Sequence, residues 1–472
     1  MNSMANVSVL VVGVVCLSLV IALIKVLHKY WWKPLRIQRL MSRQGINGPP
    51  YRFIHGNNKE TIKMKQEALR NPMPSLSHDT LPRVQPQILS RIKLYGKNYL
   101  SWTGSRAMLV ITEPELIKEL LKNSERAFPK RTSRERKKED DFVLKILGDG
   151  LVTSEGEKWA KKRKLANHAF HGETLKSMSP AVIASVESML ESYLDGEKIF
   201  DMLMKLSVIT NRNMFKARLP VISKFWKSAD QIEADKLEKE IHNCVMKIVK
   251  KREEKVANGG ANSFGTDFFG LLLNAYHDTD KKNNISQQDL KARQEVIKIF
   301  GNQNPNPEGI CKLKIMTMII NETLRLYPPV SSMVRKVASD VQLGKLILPA
   351  DLELLVPNLV LHHDPHLWGD DVNVFKPERF AEGIANATKH NSAAFIPFGL
   401  GPRSCVGMSF ALMEMKMALS MILQCFTILL SPTYSHSPFT LLLLQPQQGI
   451  QDEILAMLIY KLLTPEMTIN LC

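Results

Sequence analysis

The stretch "FGLGPRSCVG", Phe398 to Gly407, decides how this chain is read. Three glycines, a proline and an arginine surround one cysteine. Directly after it, "VGMSFALMEMKMALSMILQCF" places Phe410, Met413, Met417 and Met421 at helical spacing, which predicts a buried helix with Cys405 near its start. A helix N-terminus carries partial positive charge, and Arg403 stands two residues before the cysteine. Both favour a thiolate, and a thiolate is a soft metal ligand. Glycine tolerates positive φ and lets backbone approach a large flat group closely. Taken alone, Cys405 could equally be an inert core thiol, since free cysteine is commonly buried.

Two further segments carry chemistry. "IMTMIINETLRLYPPV" (Ile315–Val330) reads as a helix stopped by Pro328 and Pro329. At helical pitch Ile315, Met318, Ile319, Glu322 and Leu326 share one stripe, with Arg325 at its margin. A carboxylate in mid-stripe argues for a buried Glu322–Arg325 pair, which needs further hydrogen-bond partners. Arg379 in "FKPERF" (Phe375–Phe380) is the candidate third member. "GEKWAKKRKLANHAF" (Gly156–Phe170) offers Trp159 and Arg163 at i,i+4, by itself a packing or cation–π pair.

The rest of the chain sets limits. Its 472 residues carry 63 Lys and Arg against 46 Asp and Glu, a formal net charge of +17. The lysines alternate with glutamates on helical stretches such as "KLEKEIHNCVMKIVKKREEK", and no aromatic-basic recognition motif accompanies them. That argues against nucleic acid and for an anionic membrane surface or an acidic protein partner. "KRTSRERKKEDD" (Lys130–Asp141) is a solvated loop or helix start. Six scattered cysteines without a CxxC argue for a reducing compartment. No charged side chain lies between Val7 and Ile24, so residues 5–28 are expected as a transmembrane signal anchor. Lys25, His28, Lys29, Trp31, Trp32, Lys33 and Arg36 follow as an interfacial collar, which turns the remainder to the cytosol. A cleaved signal peptide would need basic residues before the apolar run, and none occurs there. Residues 29–50 are expected as a basic, proline-rich hinge ending at Pro49 and Pro50. Cytosolic placement makes the Asn321 and Asn386 sequons unused. "VQLGKLILPADLELLVPNLVLHHDP" alternates like short strands.

Together these segments resemble the cytochrome P450 superfamily, in particular its plant microsomal members. "FGLGPRSCVG" is similar to the family's haem loop at Phe398, Gly399, Gly401, Arg403, Cys405 and Gly407. "NETLR" resembles its Glu-x-x-Arg helix, "PERF" its third charged partner and "WAKKR" its Trp-x-x-x-Arg segment. The wording of "NETLRLYPPV", "FIPFGLGPRSCVGMSFA" and "LHHDP" looks like the clan of secologanin synthase and gibberellin-modifying enzymes. The resemblance implies a mainly α fold with a small β-rich lobe over residues 51–449. It implies haem with Cys405 as axial ligand and Phe398 near it, and glycines, Gly399 and Gly407 among them, that let the loop pass beneath the porphyrin. Arg403, Trp159, Arg163 and Arg335 would bind propionates, and Glu322, Arg325 and Arg379 would form a structural triad. The implied activity is oxidation of a small apolar, terpenoid-like substrate with O2, on the cytosolic side of the endoplasmic reticulum membrane. Electrons would come from NADPH through a flavoprotein reductase.

The chain also departs from the family. No catalytic residue is identified, because the family's distal acid–alcohol helix pattern is not found. "FGTDFFG" (Phe264–Gly270) and "YHDTD" (Tyr276–Asp280) are the nearest stretches, and neither has the required spacing. "NNISQQDL" runs straight into "KARQEVIKIFGNQNPNP", as if about thirty residues, or about 45 Å of helix, were skipped near 290. A second gap is expected near 195, and the tail 450–472 is atypical, so the core helix bundle is expected to be incomplete. Two other readings follow: a truncated or mis-spliced product with weak or no haem binding, and a haem-thiolate isomerase or dehydratase. The second usually alters the cysteine loop as well, and here that loop is undisturbed.

Overall fold

The computed structural model describes residues 2–70, 73, 77–131, 150–191, 287–425, 434–440 and 443–447, with scattered positions between 229 and 240. The gap expected near 195, "FGTDFFG", "YHDTD", most of "KRTSRERKKEDD" and the tail 450–472 lie outside the described residues.

Helices dominate, and a four-stranded sheet forms a small β lobe. Its order is β1 (Tyr99–Thr103), β2 (Arg106–Val110), β6 (Glu353–Val356), β3 (Met333–Lys336). β1 and β2 are antiparallel around Gly104–Ser105, where Gly104 takes φ +60° as a tight two-residue hairpin demands. β2 runs parallel to β6, and β3 antiparallel to it. The expected strands in "VQLGKLILPADLELLV" appear as the pair β4 (Val341–Leu343) and β5 (Leu346–Leu348), then β6. The end of that stretch differs: Asn358–His362 forms one helical turn after Pro357, with Asn358 Nδ2 donating to Val330 O.

Two cores result. The sheet buries Leu100, Trp102, Leu109, Leu354 and Val356 with Ile37 and Met41. The second core is helical: Val182 and Val186, Val296 and Phe300, Met316 and Ile320, and Met417 and Met421 meet from four helices. These are Gly172–Glu191, Gln287–Phe300, Lys314–Leu326 and Met408–Cys425. Glu295 ties two of them together, its carboxylate accepting from the N–H groups of Lys314, Ile315 and Met316 at 2.7, 2.9 and 3.0 Å. Those are free donors at a positive helix end, so an anion there is stabilising.

Helix Asn2–Leu27 is followed by a π-helical turn at His28–Trp32 and helix Lys33–Ser42. The apolar run is long enough to cross a membrane, and Val14 to Leu27 carry no cover. Residues 29–50, expected as a hinge, are helical through Ser42, and Pro34, Ile37 and Met41 are buried. An i, i+3, i+7 apolar row gave this segment a face to pack, which a proline-rich connector would lack.

Candidate functional site around Cys405

The loop enters from Ile396, whose N–H donates to His362 Nε2 at 3.0 Å. It turns through Gly399 and Gly401, at φ +76° and +77°. Its return is closed by Cys405 N–H donating to Phe398 O at 2.8 Å. A Cβ on Gly401 would stand 2.3 Å from Leu121 O, so the loop lies directly on helix Pro114–Lys122. A Cβ on Gly407 would meet only the Phe170 ring at 3.7 Å, so packing does not demand glycine there. The Cys405 thiol is exposed. The following helix begins at Met408, three residues past the cysteine. Phe398 is half-buried against the helical core.

The basic side chains are already engaged. Arg403 pairs with Glu125, with Nη2 to Oε2 at 3.2 Å, and donates Nη1 to Ser154 O at 2.9 Å. Its guanidinium stacks 3.8 Å from the Trp159 ring centroid, and the side chain is 2% exposed. The residue that meets Trp159 is therefore Arg403, across the fold, and not its i+4 neighbour Arg163 alone. Arg163 donates to Ser404 O at 2.5 Å and to Asn167 Oδ1 at 2.9 Å, which draws its helix onto the cysteine loop. Arg335 is buried on β3 with Nη1 donating to Val334 O at 2.9 Å. Met333 of the same strand lies 3.8 Å from where a Gly399 Cβ would stand. The Arg403 charge, expected to act on Cys405, is directed at Glu125 instead. Glu125 was not legible in the sequence, since nothing local relates residues 278 positions apart.

Behind the loop sits a buried charge cluster. Glu322 and Arg325 are both 0% exposed, joined by Nε–Oε2 at 2.8 Å and Nη2–Oε1 at 2.7 Å. Arg379 Nε approaches Glu322 Oε1 at 3.4 Å, and its Nη2 pairs with Asp371 Oδ1 at 2.7 Å. The remaining Glu322 capacity is filled by Lys376 N–H at 2.9 Å, and Arg325 Nη1 reaches His362 O at 2.9 Å. His362 thus links the cluster to the loop: its carbonyl takes Arg325 while its ring takes Ile396. Burial pushes the His362 ring down to about 3, so it is neutral and able to accept. Of the helical stripe drawn from sequence, Ile315, Met318 and Ile319 are only half-buried. The inner row is Met316, Ile320 and Leu324, because the helix is clasped from two sides. Asn321 is buried, which removes its sequon from reach.

The arrangement can present one exposed thiol on a backbone-locked loop. Among the described residues no group of three or more His, Cys, Asp or Glu could cage a metal ion. The haem that the resemblance implies brings its own ring of ligands and needs one protein donor, and the exposed Cys405 on this loop fits that need. The propionate positions fit less directly, since Arg403 would have to exchange Glu125 for a propionate.

Comparison with known proteins agrees. The cytochrome P450 family model matches residues 87–198 and 289–452, leaving 199–288 between the two spans. Cytochrome P450 CYP749A22 of Panax ginseng is 46% identical over 502 aligned positions, covering 92% of this chain and 94% of that protein. The 11-oxo-beta-amyrin 30-oxidase of Glycyrrhiza uralensis is 35% identical, covering 93% and 96%. The 7-deoxyloganic acid hydroxylase of Catharanthus roseus is 33% identical, covering 90% and 94%. Since 92% of 472 residues is about 434, about 68 of the 502 positions aligned with the ginseng protein have no residue in this chain. The mainly helical fold, the haem-loop sequence and these matches agree: the chain belongs to the cytochrome P450 family of oxidoreductases.

Proposed function

We propose that this chain is a membrane-anchored haem-thiolate monooxygenase acting on a small apolar, terpenoid-like substrate. The observation that carries the reading is the exposed Cys405 thiol on a loop locked by its own N–H to Phe398 O. Haem held there by Cys405 would supply dioxygen activation and transfer of one oxygen atom to substrate. Phe398 shields the ligand from the helical core side. Arg403, Trp159, Arg163 and Arg335 would hold the propionates, Arg403 exchanging its Glu125 carboxylate for a propionate. Glu322, Arg325 and Arg379 keep the loop in register through His362. The terpenoid reading is supported by relatives named for oxidising 11-oxo-beta-amyrin and 7-deoxyloganic acid. Electrons come from NADPH through a flavoprotein reductase, and the net charge of +17 suits an acidic flavin domain. The apolar helix and its basic collar support a single-pass anchor in the endoplasmic reticulum membrane with the domain in the cytosol.

The test is the reduced carbon-monoxide difference spectrum of the membrane-bound protein, then NADPH-dependent turnover with added reductase. A thiolate-type band that Cys405→Ser abolishes is the expected result. A second reading, a chain that folds but retains haem poorly, is favoured by the about 68 missing positions. Protein present in the membrane with no such band would decide for that second reading.

A further inference from the structure

The first acidic residue of the chain is Glu60, and before it stand eight Lys and Arg. The structure sorts these charges. Lys33 is paired with Asp351 at 2.7 Å and Arg52 with Glu60 at 2.5 Å. Arg36, Arg39 and Arg43 follow at i, i+3 and i+7 on the outward face of helix Lys33–Ser42, opposite Pro34, Ile37 and Met41. All three are exposed, and among the described residues none of the three guanidiniums has a hydrogen-bond or ion-pair partner. With Trp31, Trp32 and Leu35 they line a shallow groove of about 330 Å³. The two indoles are 52% and 62% exposed.

We infer that this groove binds the headgroups of anionic phospholipids, arginines on phosphate and indoles at the acyl boundary. Unpaired guanidiniums beside exposed indoles match an amphipathic ligand, charged at one end and apolar at the other. The groove continues directly from the uncovered run Val14–Leu27, so an anchor in the bilayer brings it to the headgroup layer. Juxtamembrane arginines draw anionic lipid to themselves. The π turn at His28–Trp32 inserts an extra residue into the helix, which re-aims the face that follows.

The consequence is orientational. Helix Lys33–Ser42 is fixed to the domain: Gln44 Nε2 donates to Ile347 O at 3.0 Å and accepts Ile347 N–H on Oε1 at 2.6 Å. Tyr51 Oη donates to Tyr30 O at 2.7 Å. Lipids bound on this face therefore set the tilt of the whole domain on the membrane and not only its attachment.

This inference rests on the anchor reading, and the experiment separates the two. The full chain is synthesised into phosphatidylcholine vesicles containing a minor fraction of brominated lipid, either brominated phosphatidylglycerol or brominated phosphatidylcholine. Flotation reports the anchor; quenching of tryptophan fluorescence, with W31F/W32F as background, reports the groove. The expected result is equal flotation in both and a local enrichment of the anionic quencher of about fivefold or more, from about fivefold per arginine. The triple variant R36Q/R39Q/R43Q should float equally and quench equally with both lipids. Equal quenching in the unaltered chain, or a preference that survives in the triple variant, overturns the inference while the anchor stands. A chain that fails to float overturns both.

Discussion

Glu322 serves two guanidiniums and a backbone N–H from a position without solvent, so its loss strands charge. Removing one partner of a buried pair costs about 3–5 kcal/mol, because the other stays uncompensated. Glu322→Ala should therefore lower unfolding stability by about that amount. Arg379→Ala, at a side chain 10% exposed and shared with Asp371, should cost less; urea titration of the two variants checks the order. Protonation is governed by burial in the same way. His362 falls from 6.5 to about 3, and His78, His363 and His436 shift the same way through desolvation. The folded state refuses protons that the unfolded chain takes up below 6.5, so these groups make stability fall as pH drops from 6.5 toward 3. Glu414, buried on helix Met408–Cys425, is pushed up from 4.5 to about 7 by desolvation. Its sign is opposite: the unfolded chain releases the proton above 4.5 and the folded one holds it to about 7, so stability falls as pH rises through that window. Between 4.5 and 6.5 one histidine and Glu414 offset each other, and the further histidines tip the balance toward acid sensitivity. Glu414→Gln should stabilise the protein above pH 7 by up to about 3 kcal/mol and steepen the acid-side loss, read from urea unfolding across pH.

The cysteine loop behaves as one element pressed on helix Pro114–Lys122, and its glycines are not equivalent. Gly401→Ala combines φ +77° with a backbone oxygen 2.3 Å away, so a loss of about 2 kcal/mol or more and disturbed ligation at Cys405 are expected. Gly407→Ala meets only ordinary contact and should be near neutral; thermal melting of the two variants side by side checks the difference. The sequence motif weights the two alike. The difference comes from Leu121, which approaches from 280 residues earlier. Elements with a strong local signal were legible: of the row Phe410, Met413, Met417 and Met421, the last two are buried and the first two half-buried, as a helix facing the core requires. The Asn358–His362 turn and the packed helix Lys33–Ser42 were not, since both are settled by what they pack against and Pro357 or Pro34 obscures the local pattern.

For the molecule as a whole, what stands out is the difference in length from its relatives. Helices Gly172–Glu191, Gln287–Phe300 and Met408–Cys425 bury a shared face, yet relatives fill about 68 aligned positions that this chain lacks. Restoring those positions from the ginseng relative should raise haem content per unit of protein, measured as the thiolate-type band against total chain. An unchanged ratio would show that the shorter chain already holds haem fully. The sequence by itself determined the family, the mainly helical class, the apolar N-terminal helix and the cysteine that defines the candidate site, because each is written in local composition and spacing. Tertiary structure alone decided which charges meet: Arg403 with Glu125 and Trp159, His362 with the loop, and three arginines left to solvent. Such pairings depend on distances between segments far apart in the chain, and those are fixed by packing, not by any local pattern.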